Sequence, residues 1–159
     1  MRLESGLDHS PIAHAIEQRL LTMAPVQAMQ LRWLDHGADH VRLQAPLAAN
    51  LNDKGCAFGG SLTSLMTLAA WALMSMKLEQ AGSRADIYVQ DSSVRYLVPL
   101  YDDLQAQSRL AEGQDWDAIL ASFSQRNKAR ALLQAEIRDH SGRVCCTLEG
   151  RFVALPASA

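Results

Sequence analysis

Apolar residues in the first third of the chain recur with a helical spacing and then in alternation. Ser10 and Pro11 supply a capping hydroxyl and a first-turn proline ahead of apolar residues three to four positions apart, which predicts a helix over about 11–23. From Val26 onward the period becomes two, which predicts a strand and, after a turn at 36–39, a second strand. The helical positions are Ile12, Ile16, Leu20 and Met23, and the alternating ones are Met29, Leu31 and Trp33, then Val41, Leu43 and Ala45.

The second half of the chain reads as a series of strands with one short helix. The segment 85–99 is rich in β-branched and aromatic residues, but its apolar phase changes at 91–93, which predicts either a bulge or a passage from one buried face to another. Three further alternating runs begin at Leu104, Leu133 and Val144, and the turn formers DHSG join the last two. A helix is predicted where Trp116, Ile119, Leu120 and Phe123 recur.

Between these halves lies the most apolar part of the chain. Residues 61–76 carry no charge, yet they number fewer than the roughly twenty needed to cross a bilayer and include several hydroxyl side chains. A helix that is apolar almost all round must be enclosed by protein, so we expect the sheet of about six strands to wrap around it. The loop before it, 46–60, is dense in Pro, Asn, Asp and Gly, and long loops in compact domains often carry function.

Composition narrows the classes of function. The 159 residues predict a single domain over 1–159, and a net charge of -2, from 15 basic and 17 acidic residues, gives no footprint for nucleic acid. The first ten residues lack an apolar run, so we expect no signal peptide and a cytoplasmic protein. The three cysteines have no metal-ligand spacing, which predicts neither a disulfide nor a metal site; Cys56 as a nucleophile lacks a nearby histidine to activate it.

Three blocks of sequence, in this order and at this spacing, resemble those of a known family. The chain is similar to the hotdog-fold thioesterase-like proteins, whose domain also occurs behind acetyltransferase domains, and the likeness covers about residues 10–155. It rests on Asn52, on AFGGSL at 57–62 with the helix through Trp71, on DSSVRYL at 91–97 with Pro99, and on GRFVAL at 150–155.

The resemblance implies an α+β hotdog fold with the central helix at about 60–79. It also implies hydrolysis of an acyl thioester carried on coenzyme A or an acyl carrier protein, which enters as substrate, so that no separate cofactor is expected. The expected assembly is a homodimer whose sheets join edge to edge, with each site drawing residues from both chains, or alternatively a tetramer. Neither nucleic acid nor a membrane is an expected partner.

The glycine pair is the first candidate for the site. Gly59 and Gly60 lie where helix N-terminal amides point outward, and such amides can hold a thioester carbonyl and its developing oxyanion. Alternatively, both glycines only allow the helix to pack on the sheet. Asn52 matches a family position that orients the attacking water or the thioester; the other interpretation is an asparagine that shapes a turn.

The catalytic base is the point at which the chain departs from the family. Related enzymes often carry a carboxylate two turns into the central helix, where this chain has Thr67, and no Asp, Glu or His occurs over 61–76. We therefore expect Asp91 to act as the base, with burial raising its pKa, while Thr67 helps to position water. Alternatively, Asp91 hydrogen-bonds to helix hydroxyls such as Ser64, and Asp53 is a weaker candidate.

The remaining candidates concern the substrate. Phe58, Ser61, Ser64 and Arg95 are predicted to contact it, Arg95 through a phosphate or carboxylate unless it only faces solvent. Apolar residues of the helix either line an acyl tunnel or pack the core. The missing helix carboxylate keeps a rival open, a non-catalytic module that binds acyl thioesters. A dehydratase is disfavoured because no histidine lies between His40 and His140.

Overall fold

The structure is a computed structural model that describes residues 10–158. Its helices are α1 (Pro11–Leu20), α2 (Ala24–Met29), α3 (Gly59–Gln80) and α4 (Trp116–Arg126), with a 3-10 turn at Leu47–Ala49. Its strands are β1 (Arg32–His36), β2 (Val41–Ala45), β3 (Ala85–Tyr96), β4 (Leu104–Leu110), β5 (Ala129–Arg138) and β6 (Val144–Pro156).

The six strands form one antiparallel sheet in the order β1-β2-β4-β5-β6-β3. Helix α3 lies along one face and contacts β2, β3, β4, β5 and β6, so almost the whole sheet curves around it. This confirms the predicted α+β hotdog fold. The order leaves β1 and β3 as the two edges, and β3 is the long one.

Helix α3 has the length and the burial that its composition predicts. It runs from Gly59 to Gln80, and the five consecutive residues 72–76 are all buried. Apolar side chains on every side are stable here because the sheet covers one flank and α1 packs on another. Within residues 10–158 none of the helices, α3 included, combines the length and the hydropathy of a membrane span.

The predicted N-terminal boundaries are wrong in two places. Helix α1 ends at Leu20 instead of 23, and the segment read as a strand from Val26 is the short helix α2, so that β1 begins only at Arg32. Val26 and Met29 are both buried, and their three-residue spacing places them on the same face of a helix. Pro25 in the first turn and the left-handed Gln30 at the end (φ 57°) set the bounds of α2.

The change of apolar phase in β3 is a bulge. Val89 lies opposite Phe152 of β6, whereas Asp91 lies opposite Arg151, so Gln90 is an additional residue without a partner. Of the two alternatives that the sequence left open, the structure therefore shows the first. The bulge reverses the facing of every side chain that follows it, and this decides where the predicted site residues lie.

Candidate active site at the amino end of α3

Helix α3 begins without a side-chain cap. Its N-cap is Phe58, and the amides of Gly59, Gly60 and Ser61 have no hydrogen-bond acceptor among residues 10–158. The first accepted bond of the helix runs from Leu62 N to Phe58 O at 3.1 Å. These three N–H groups lie at the positive end of the helix dipole, so together they can polarise a carbonyl or hold an oxyanion.

The glycines at this end leave room for neighbouring aromatic rings and do not serve an unusual backbone. Neither Gly59 nor Gly60 has a positive φ. A Cβ on Gly60 would lie 2.5 Å from the Phe58 ring, and one on Gly59 would lie 3.4 Å from the Tyr96 ring. Two aromatic rings therefore occupy the space that side chains would take, and the absence of a Cβ lets both rings lie against the backbone of this turn.

Tyr96 belongs to this end of the helix, although the sequence analysis did not select it. Its hydroxyl lies 2.5 Å from Thr63 Oγ1 and donates to Gly59 O at 3.3 Å. The strand register explains the position: Tyr96 lies opposite Cys146, whose Sγ contacts Met66 of α3 at 3.8 Å, so both side chains face the helix. The sequence signal was its alternation with Val94 in the block that resembles the family.

The side chain of Asn52 is occupied in the loop before the helix. Its Oδ1 accepts from Lys54 N at 2.8 Å and from Cys56 N at 3.1 Å, and its Nδ2 lies 3.0 Å from Cys56 Sγ. These contacts give the turn-shaping interpretation a concrete basis. Orientation of water by Asn52 stays a prediction. Neighbouring Asn50, which the sequence analysis did not select, is buried and donates to Met29 O at 3.0 Å, which fixes the start of the loop.

Thr67 lies two turns into α3 on the same side as the unpartnered amides. Its hydroxyl donates to Thr63 O at 2.8 Å, so its oxygen lone pairs remain to accept a hydrogen bond. Ser61 and Thr67 are half-buried and Ser64 is exposed. The structure thus brings the predicted residues Phe58, Gly59, Gly60, Ser61, Ser64 and Thr67 to one open surface, with Asn52 in the adjoining loop.

The expected burial of Asp91 is wrong. Its side chain is 60% exposed and its carboxylate lies 3.5 Å from Arg151 Nη1, not against Ser64 or Thr67. The physical reason is the bulge at Gln90: without it, Asp91 would face the helix as Val89 does, but the additional residue turns it to the outer face of the sheet. The structure therefore separates Asp91 from the amides of α3 by the thickness of the sheet.

Arg95 also lies on the outer face, opposite Thr147. There it lines a shallow concavity of about 390 Å³ among polar side chains of β3, β4, β5 and β6. It is exposed and takes part in no ion pair among the described residues. Like Asp91, it is not brought together with the glycine pair.

A histidine and a carboxylate form a pair beside the loop that contacts the chain just before α3. His140 Nδ1 lies 2.9 Å from Asp102 Oδ2, and the backbone N of His140 donates to the same oxygen at 3.0 Å. The hydrogen bond between the side chains raises the pKa of His140 and lowers that of Asp102. The pair joins the β5–β6 turn to the loop in which Leu100 O accepts from Ala57 N at 2.8 Å, just before α3.

The described residues offer no site for a metal ion. Over residues 10–158 no three His, Cys, Asp or Glu side chains come together in a way that would hold one. The three cysteines are buried and form no disulfide, and burial raises the pKa of Cys146 to about 12. The polar groups around the amino end of α3 are instead hydroxyls, one amide and one thiol.

Solved structures of three bacterial proteins share this fold. A protein of unknown function from Chlorobaculum tepidum is 24% identical with a TM-score of 0.83, over 91% of this chain and 94% of that one. A "putative thioesterase" from Shewanella oneidensis is 26% identical with a TM-score of 0.79, over 90% and 96%. A protein from Pseudomonas aeruginosa described as a "probable thioesterase" is 24% identical with a TM-score of 0.77, over 94% and 99%.

The sequence itself matches a protein family along nearly its whole length. Residues 13–156 match the family described as "Putative thioesterase (yiiD_Cterm)". The match contains the glycine pair, all of α3 and the strand block that ends at Tyr96. The chain therefore belongs to this thioesterase family.

Proposed function

We propose that the protein hydrolyses acyl thioesters carried on coenzyme A or an acyl carrier protein, at the amino end of α3. The observation that carries this proposal is the set of three unpartnered amides at Gly59, Gly60 and Ser61, beside the rings of Phe58 and Tyr96. Membership of a thioesterase family supports the reaction class. The identity of the carrier, coenzyme A or an acyl carrier protein, is a further part of this proposal.

In the proposed reaction the thioester carbonyl accepts hydrogen bonds from these amides. A water molecule attacks the carbonyl carbon, the oxyanion of the tetrahedral intermediate is stabilised by the same N–H groups, and the C–S bond breaks as the thiol leaves with a proton. In this proposal Thr67 accepts a hydrogen bond from the attacking water, and its oxygen lone pairs are available because its hydroxyl proton is donated to Thr63 O. Polarisation by the helix end is then the principal contribution to catalysis, with no carboxylate required on α3.

We also propose a homodimer formed along β3. This strand pairs with β6 on one side only, so its other edge carries unpaired backbone groups. Large apolar side chains on or next to it are exposed, namely Phe58, Tyr88, Val89, Tyr96 and Leu97. A second chain on this edge would cover them and enclose the open surface at α3. Light scattering tests the assembly: the wild type is expected to be dimeric and Val89→Lys monomeric, because a lysine on the edge opposes strand pairing.

A second candidate function is a non-catalytic module that binds acyl thioesters. It is favoured by one observation: the first five turns of α3 carry no ionisable side chain, and Asp91 lies on the far face of the sheet. The amides of α3 would then hold the thioester carbonyl, and no side chain would activate a water molecule. Binding with an intact thioester is the behaviour that this candidate predicts.

Incubation of the pure protein with a panel of acyl-CoA esters and a thiol-reactive dye tests the proposal. Release of free coenzyme A in proportion to enzyme concentration supports hydrolysis. Binding by calorimetry without thiol release contradicts it and supports the second candidate.

A further inference from the structure

One side of α3 is open over the first half of the helix, whereas residues 72–76 are enclosed on every side. Positions three to four residues apart, from Gly60 through Ser64, Thr67 and Leu68 to Trp71, are exposed or half-buried, whereas all of 72–76 are buried. Because this spacing follows one side of a helix, these positions form a continuous strip. The strip starts at the unpartnered amides and stops at Trp71.

The indole of Trp71 is held in place from two sides. Its Nε1 donates to Ile87 O of β3 at 3.1 Å, and the Arg19 guanidinium of α1 lies 5.6 Å from the ring centroid. Arg19 in turn pairs with Glu79, which lies on α3 just after the enclosed residues 72–76. Since both its polar atom and its face are engaged, the ring forms a fixed wall across the end of the strip.

The chemistry of the strip changes along its length. Near the amides its side chains carry hydroxyls, at Ser64 and Thr67, while its far end is apolar, at Leu68 and Trp71. A ligand whose polar head lies at Gly60 and whose tail is apolar matches this order. An acyl group attached to a thioester has that polarity.

We infer that Trp71 sets the upper limit of acyl chain length, by closing the strip that leads away from the amides of α3. The inference rests on the proposed function, because that function places the acyl carbonyl at Gly60. Trp71 lies eleven positions after Gly60, or about 16 Å of helix at ~1.5 Å per residue. Because helical side chains lean back by about one turn, the indole shortens the path to about 11 Å.

This length corresponds to a medium-chain acyl group. A saturated chain with C–C bonds of about 1.5 Å and tetrahedral angles advances ~1.25 Å per carbon. A path of about 11 Å then accepts about eight to ten carbons. Removing the indole opens about one helical turn, which admits about four more carbons.

The test measures kcat/KM for saturated acyl-CoA esters from butyryl to palmitoyl. For the wild type the value is expected to peak near octanoyl or decanoyl and to fall about tenfold or more at myristoyl. Trp71→Ala is expected to move the fall beyond myristoyl while butyryl-CoA hydrolysis stays within about threefold of the wild type. Trp71→Phe, which keeps a ring but loses the bond to Ile87 O, is the matched control and should keep a limit near that of the wild type.

A second variant covers the case in which Trp71→Ala does not fold. Leu68→Phe fills the strip about one turn nearer to Gly60, so it is expected to shift the limit toward shorter chains. Binding of S-alkyl-CoA thioethers, measured by calorimetry over the same lengths, gives a readout independent of turnover. A shift in the length dependence of binding without hydrolysis would support the inference and refute the proposed function.

The opposite combination refutes the inference alone. Hydrolysis by all variants with one unchanged length profile would show that the acyl chain does not reach Trp71. A wild type that binds and cleaves palmitoyl-CoA as well as octanoyl-CoA would do the same. If no thioether of any length binds, both the inference and the proposed function fail.

Discussion

Replacing Gly59 by proline tests the central proposal because it removes one amide and little else. Gly59 is the first helical residue, where a proline is tolerated, and its N–H has no acceptor among residues 10–158 to lose. The preceding Phe58 has φ -66° and ψ 129°, the extended conformation that a residue before proline prefers. The substitution therefore deletes one unpartnered hydrogen-bond donor at the helix end while it leaves the helix intact.

The size of the effect follows from the free energy of one hydrogen bond. Three unpartnered amides lie at the helix end, and a hydrogen bond to a charged acceptor contributes about 1.5 to 3 kcal/mol. Loss of one donor is expected to lower kcat about tenfold to about a hundredfold, with a smaller effect on KM, because the full charge exists only in the transition state. Stability should not fall: a compatible Gly→Pro change stabilises by about 0.4–1 kcal/mol, or about 1–4 °C in Tm at this chain length.

Steady-state thiol release and differential scanning calorimetry on the same samples measure both quantities. Gly59→Ala is the matched control, because it keeps the amide and places a Cβ 3.4 Å from the Tyr96 ring. We expect it to retain most of the wild-type kcat. A proline variant with wild-type kcat, or an alanine variant that loses as much as the proline variant, would show that this amide does not act on the substrate.

Three further outcomes are expected. Asp91→Asn should change kcat less than about twofold in the thiol-release assay, because the carboxylate lies on the outer face beside Arg151; a tenfold loss would restore Asp91 as the base. His140→Ala should lower the free energy of urea unfolding most between pH 3.8 and pH 6.5, the ordinary pKa values of Asp102 and His140. The lowered pKa of Asp102 gives stability that is lost as pH falls through its folded value. The raised pKa of His140 gives stability that is lost as pH rises through its folded value. A difference in the free energy of unfolding between wild type and variant that does not change with pH would therefore contradict the pairing. Cys146, with its pKa raised to about 12 by burial, should not react with a disulfide dye at pH 8 in the folded protein, and Cys146→Ser should leave the number of thiols that react before denaturation unchanged; a lower number would place the thiol at the surface.

The position of the candidate site at the end of α3 was predictable because its determinants are local. A glycine pair after a loop of turn formers, followed by a long uncharged apolar segment, specifies both a bare helix end and a helix that must be enclosed. The observed bounds of α3 differ from the predicted ones by one residue at each end. Alternation with a period of two likewise predicted β2, β4, β5 and β6.

The error at α2 shows where local pattern fails. Val26 and Met29 fit a buried helical face, whereas Met29, Leu31 and Trp33 fit an alternating strand, and the same residues satisfy both periods over so short a segment. The left-handed conformation of Gln30 separates helix from strand, and a glutamine gives little sign of it in a sequence. Tertiary packing of Val26 and Met29 into the core made the choice.

The sequence by itself determined the class of fold, the enclosed central helix and the open amides at Gly59 and Gly60, since each depends on the type and spacing of neighbouring residues. Only the tertiary structure decided which side chains face those amides. One additional residue at Gln90 turns Asp91 and Arg95 to the outer face and Tyr96 to the helix, because facing in a strand depends on counting from a partner strand. The paired residues of β6 lie fifty or more residues further along the chain, beyond the reach of any local pattern.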